Sequence, residues 1–442
     1  MAKTHAHVTR ELFRAARRGE ISYRHLAELL RARLEELCPD CRRESQAERD
    51  EEVPVGSYRE AIRRVGRAVR LESELQAFRR EAWQAPRLLE TLRQLSPEQR
   101  LLRIRNSPER FANRVLCEEL FDQARACLPD DPAGSRAWAE AAEAIAEAYP
   151  EPHPPHLVRA LAYQANADRA AGDFEGAQVV FRRARDLMEE HAVADLELGA
   201  ELHSFLGSLD TDLRRFEQAG EHLNSAANLY RILGYEEELA RVLMKLANLH
   251  RYVGDLEAAL DADHAAMGLL SPEASPRLYL AARFNCASNL AAAGQHQAAR
   301  DLLVYDEDLY ERQGDIHLRI RVGWLEGRIA AATGDPAGAE RAYLAVRDHF
   351  AGQGHGFNAA IACLDLAALY HQEGRLEELR ESAGQAVQLF QTHEIHRDAL
   401  VALLLLQEAA AARRLTAETI QRVAAYLQEA QRDPTARFRA PN

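Results

Sequence analysis

The stretch AGDFEGAQVVFRRA, residues 171–184, decides the fold. Gly172 can take a left-handed backbone at low cost and so end one helix, while Asp173 is a good N-cap for the next. Ala177, Phe181 and Ala184 then follow at helical spacing, and Leu161, Ala165 and Asp168 precede the glycine in the same way. The stretch therefore reads as the turn of a helical hairpin.

The turn recurs along the chain. Aligned on Ala177, its equivalents are Ala219 in RRFEQA, Ala259 in GDLEAA, Ala299 in GQHQAA, Ala339 in GDPAGA and Leu379 in GRLEEL, at steps of 42, 40, 40, 40 and 40 residues. Gly254, Gly294, Gly334 and Gly374 keep the place of Gly172. A fixed period of this length is the mark of a repeat array, in which each unit is one hairpin that buries its flank on the next. The small residue at each marker is where two helices approach closely, and Phe181 or Leu223 fills the gap one turn later. Stepping back 40 residues from Ala177 reaches Ala137, so a degenerate copy is expected from about Ser107. Stepping forward from Leu379 reaches Thr419, which suits a terminal cap.

Small residues, a Gly-Asp turn, alanine, an aromatic or aliphatic residue and alanine again resemble the tetratricopeptide repeat (TPR) family; Leu206-Gly207, Gly172-Asp173-Phe174 and Ala177, Phe181 and Ala184 carry the likeness. The period here is 40 where that family uses 34, as in TPR-like regulators that sense ligands. The resemblance implies an all-α fold: a right-handed α-solenoid of TPR-like hairpins over residues 107–431, with six clear copies and two degenerate ends. Before it stand a small N-terminal helical module at 1–56 and a helical connector at 57–106. A tail at 432–442 follows.

In the register of that family, the exposed inner positions of each first helix lie 18, 15, 11 and 8 residues before the marker. They hold Arg159, Ala162, Asn166 and Arg169 in one copy, Arg241, Met244, Asn248 and Arg251 two copies later, and Arg321, Trp324 and Arg328 in the fifth. Arginine forks pair with carboxylates, asparagine amides hold peptide groups and tryptophan offers a flat apolar surface, so the expected ligand is a protein or an acidic peptide. Asn166 and Asn248 stand at the asparagine position of the carboxylate clamp in chaperone-binding TPR domains, but Ala162 and Met244 replace its lysines. Bridging of neighbouring repeats is the other use open to the same side chains.

The N-terminal module carries CPDC at 38–41. Two thiolates at this spacing can share a tetrahedral zinc, and a hairpin turning at Gly19 would bring His5 and His7 beside Cys38 and Cys41 as the remaining ligands of a structural zinc. The same residues also fit a Pro-bearing turn with two reduced cysteines. The hairpin resembles the zinc-binding domain of anti-sigma factors, with Leu34 where that family has histidine. This resemblance implies an alternative function, a transcription regulator whose anti-sigma-like N-terminal module is controlled by ligand binding to the array; Arg10, Arg14, Arg17, Arg18, Arg24, Arg31 and Arg33 make a DNA-binding module the other form of that alternative.

A formal net charge of −13 argues against wholesale binding to nucleic acid or an anionic membrane, leaving the N-terminal module as the one place for nucleic acid. The most apolar run, ALVALLLL at 399–406, is far below the ~20 residues a membrane span needs, and no signal-like start is present, so a cytoplasmic protein is expected. GxSxG, HExxH and the phosphate-binding GxxxxGK[ST] do not occur. The chain reads as a non-catalytic, regulatory binding scaffold.

Overall fold

The structure is a computed structural model that describes residues 58–149, 153–313, 316–353, 355–392 and 416–432. The described residues form helices and no strand. In chain order these are α1 (Tyr58–Arg93), α2 (Pro97–Arg105), α3 (Pro108–Phe111), α4 (Arg114–Cys127), α5 (Pro132–Glu147), α6 (Pro154–Ala170), α7 (Phe174–Glu190), α8 (Leu196–Asp212), α9 (Phe216–Leu233) and α10 (Glu236–Val253). They continue with α11 (Leu256–Gly268), α12 (Pro276–Ala292), α13 (His296–Tyr305), α14 (Glu307–Gln313), α15 (Ile316–Ala332), α16 (Pro336–Gly352), α17 (Gly356–Gln372), α18 (Leu376–Thr392) and α19 (Ala417–Arg432). The fold class is all-α, an α-solenoid of paired helices, as the period predicts.

The backbone closure of the turn is the same in every clear copy, while its side-chain caps vary. Five marker glycines adopt positive φ, from 71° to 84°, and the amide of the residue after each bonds back to a carbonyl five residues earlier, as Asp173 N does to Asp168 O at 2.9 Å. This is the Schellman closure of a helix C-terminus. Asp173, Asp255 and Asp335 then cap the next helix by accepting from Gly176, Ala258 and Gly338 amides at 2.8–3.0 Å. The one copy without glycine places Arg214 in the left-handed region, at φ 58°. All five marker alanines are fully buried. Gly327 marks another close approach, because a Cβ there would lie 2.9 Å from both Ala342 Cβ and Tyr343 Cε1.

The degenerate first copy departs from the expected register. Asp131 accepts from the Gly134 amide at 2.8 Å, which places Ser135 rather than Ala137 at the marker position, 42 residues before Ala177. Ser135 is buried and Ala137 only partly so. An exact 40-residue step misses this because the first two steps of the array are both two residues longer.

By contacts the chain divides into two units. Unit 1 holds Met1–Leu209 with Asn228–Leu233, and its core joins Phe78, Leu88 and Leu92 of α1 and Ile104 of α2 to Phe111, Leu116, Phe121 and Ile145. The described part of 57–106 is thus built into the first core layer and is more than a connector. Ser96 and Gln99 form a complete capping box on α2, and buried Arg100 donates to the carbonyls of Leu92 and Leu95 at the end of α1 while stacking 3.3 Å from the Trp138 ring. Unit 2 holds Asp210–Ala227 and Gly234–Asn442; there α19 packs Ile420, Val423, Tyr426 and Leu427 against the core of α17 and α18.

Candidate functional site

The first helices of the repeats carry the predicted side chains, and each unit uses them differently. In unit 1, Arg159 of α6 is 5% exposed. Its guanidinium meets three carboxylates: Glu118 of α4 at 3.0 and 3.1 Å, Glu201 of α8 at 2.7 Å and Glu197 of α8 at 3.6 Å. Burial opposes its charge, but the three glutamates outweigh it and raise the Arg159 pKa well above that of a free arginine. The cluster extends on both sides. Glu118 also meets His156 Nε2 at 3.0 Å, and Glu201 accepts from Tyr163 at 3.0 Å and Arg125 at 3.1 Å.

Arg159 was expected on an exposed inner face, and the structure corrects this: it is a buried tie between consecutive first helices. Glu201 explains the difference, since it occupies the same register as Arg159 one repeat later. Here that carboxylate holds the arginine inside the fold. Asn166 is also buried, and its Oδ1 accepts from Arg169 Nε at 2.9 Å. The Asn248 and Arg251 pair repeats that bond more loosely, at 3.4 Å.

In unit 2 the same register is more open. Arg241 of α10 and Arg321 of α15 are exposed, Arg321 lying 4.5 Å over the ring of Phe284 on the preceding first helix α12. The Trp324 indole donates to Asp365 Oδ2 of α17 at 2.6 Å and tilts against Phe350. Arg328 stacks 5.2 Å over Trp324 and reaches the same carboxylate oxygen at 3.3 Å with a side chain 47% exposed. Trp324 is therefore partly embedded, with Arg328 stacked on it and half exposed. Arg241, Asn248, Arg251, Arg321, Trp324 and Arg328 all belong to unit 2.

Paired helices joined by a Schellman turn define the repeating element, and solved structures share the paired-helix fold. The chain aligns with the crystal structure of a Rap protein complexed with competence and sporulation factor, at 15% identity and TM-score 0.52, over 72% of this chain and 87% of that one. It is a tetratricopeptide-type repeat fold. Two further structures align: aspartyl phosphate phosphatase F from Bacillus subtilis (15% identity, TM-score 0.49, 87% and 93% covered) and a signal transduction ATPase with a tetratricopeptide repeat sensor from Pyrococcus horikoshii (14%, 0.48, 70% and 47%). No protein-family profile matches the sequence, and no curated protein matches it.

Within this TPR fold, reading the sequence missed the acidic partners: Glu118, Glu197, Glu201 and Asp365 each sit on a first helix beside the cations it singled out. Glu201 alone carried a signal, because it stands at the cation register of its own repeat, 18 residues before Ala219. His5, His7, Cys38 and Cys41 lie outside the described residues. Among the described residues, no group of three or more His, Cys, Asp or Glu side chains is arranged to hold a metal, and no helix is long and apolar enough to cross a membrane.

Proposed function

We propose that the chain is a non-catalytic, regulatory TPR scaffold that binds an acidic segment of a partner protein on the first-helix face of unit 2. The observation that carries this reading is the exposure of Arg241, Arg321 and Arg328 on first helices of unit 2, with Arg328 stacked on the Trp324 ring, in a chain whose net charge is −13. Solvent-facing guanidinium groups beside a flat aromatic surface suit glutamate and aspartate side chains spaced along an extended peptide. The Rap complex with competence and sporulation factor supports it further, since that similar fold holds a separate factor. A non-catalytic role is supported by the described cysteines. Burial pushes up the thiols of Cys286 and Cys363 to about 12 and raises those of Cys117 and Cys127 as well, the opposite of the lowered thiol of a reactive cysteine.

The reading is tested with a fluorescent glutamate-rich peptide titrated against the full chain by anisotropy. Arg241→Glu, Arg321→Glu and Arg328→Glu together are expected to weaken binding by about tenfold or more, which is ~1.4 kcal/mol spread over three contacts. Unchanged affinity removes the face from the account. A structural zinc on His5, His7, Cys38 and Cys41 is a separate proposal, read out by metal content with and without Cys38→Ser and Cys41→Ser.

A further inference from the structure

One joint of unit 2 breaks the repeat's own packing rule. Four residues after the marker, on the second helix, the copies place Phe181, Leu223, Leu303, Tyr343 and Ala383, all buried. Ten residues before it, on the first helix, they place Ala167, Leu209, Leu249, Ile329 and Leu369, all buried as well. At the joint of α11 with α12 both rules fail together: Asp263 stands at the first position and Asn289 at the second, exposed by 0% and 1%. The two face each other, with Asn289 Nδ2 donating to Asp263 Oδ2 at 2.7 Å. Asp263 Oδ1 and Asn289 Oδ1, both buried, accept no hydrogen bond.

Two orphan acceptors on one pair have a simple chemical solution. A proton on Asp263 Oδ1 can be donated to Asn289 Oδ1, closing a cyclic acid–amide pair in which every polar atom is satisfied. An ionised Asp263 leaves a buried carboxylate with only one of its oxygens hydrogen-bonded, which costs far more than the same group in water. The charged or titratable groups facing it are Arg251 from α10 and Cys286 from α12, whose Sγ lies 3.9 Å from His264 Nε2. None replaces the missing donor. The hairpin that follows is irregular too: its second helix is interrupted at Asp306, between α13 and α14, where the carboxylate pairs with Arg283 of α12.

We propose that Asp263 and Asn289 form a proton-dependent latch, holding the α10–α11 hairpin against α12 when Asp263 is protonated and loosening that joint when it ionises. Burial, opposed by the Asn289 bond and by Arg251, pushes the Asp263 carboxyl up to about 6. Because the folded pKa is raised, the stabilisation is complete below the unfolded aspartate value of ~3.9 and is lost as pH rises through about 6. The joint is tighter in mild acid than at neutral pH.

Hydrogen exchange of the full chain, expressed as protection factors corrected for intrinsic rates, tests this at pH 5 and pH 7.5. Protection of amides in 256–292 should fall by about tenfold across that interval, while amides in 336–372 stay level. Asp263→Asn, and Asp263→Leu with Asn289→Leu, should each abolish the fall. A fall of equal size in the variants, or none in the wild type, overturns the latch. Should the variants fail to fold, a carboxyl-carbon NMR titration of wild-type Asp263 decides: an inflection near 6 supports it, and one at or below about 4 overturns it.

Discussion

Arg159 and Arg241 occupy the same register of the same repeat, and they do opposite things. In unit 1, Arg159 is sealed among Glu118, Glu197 and Glu201; in unit 2, Arg241 faces solvent. Helical register assigns a side chain to a face. Whether carboxylates close on the arginine, as Glu118, Glu197 and Glu201 do on Arg159, decides whether that face is a joint or a surface. The pair lesson extends to Trp324 and Arg328, which share Asp365 yet leave Arg328 half exposed, an intermediate between the two extremes.

Graded substitutions can break this comparison. Arg159→Ala strands buried carboxylates and is expected to cost about 3–5 kcal/mol in denaturant unfolding, because removal of one member of a buried ion cluster leaves the others uncompensated. Glu201→Gln keeps the shape but removes a charge that Arg159, Arg125 and Tyr163 all address, and should cost about 1.5–3 kcal/mol. Asp365→Asn retains an acceptor for the Trp324 indole while releasing Arg328, so about 1 kcal/mol or less is expected. Arg241→Ala should fall within about 0.5 kcal/mol of the wild type. A stability loss at Arg241 comparable with that at Arg159 would erase the distinction between joint and surface. The smallest effect sharpens the account of the turn: Arg214→Gly relieves a left-handed backbone worth ~1–2 kcal/mol and returns part of it as chain entropy, for a net gain of about 0.5 kcal/mol.

Much of the fold was legible because a turn is local. Gly172 and Asp173 contain within a few residues the groups that end one helix and start the next, and the Schellman bond and the Asp cap both form as their residue types require. The register of the degenerate copy was less legible, since Ser135 holds the marker place by virtue of the Asp131 cap, and the period alone pointed two residues away, to Ala137. The site was half legible. Residue type and spacing located the arginines, but whether each is free depends on contacts some 40 residues apart, such as Arg159 with Glu118 and Glu201. The polar pair Asp263 and Asn289 was missed for a related reason: each looks ordinary on its own helix, and only comparison with Phe181, Leu223, Leu303 and Tyr343 at the same place shows the exception.

The central claim is that unit 2 keeps its first-helix cations for a partner. Its most direct test is the affinity of a glutamate-rich peptide for the wild type and for the Arg241→Glu, Arg321→Glu and Arg328→Glu triple variant, read beside their melting curves. The account predicts binding weakened by about tenfold or more with the melting temperature lowered by no more than about a few degrees, the share owed to a second carboxylate beside Asp365. Equal affinity for the two proteins would contradict it.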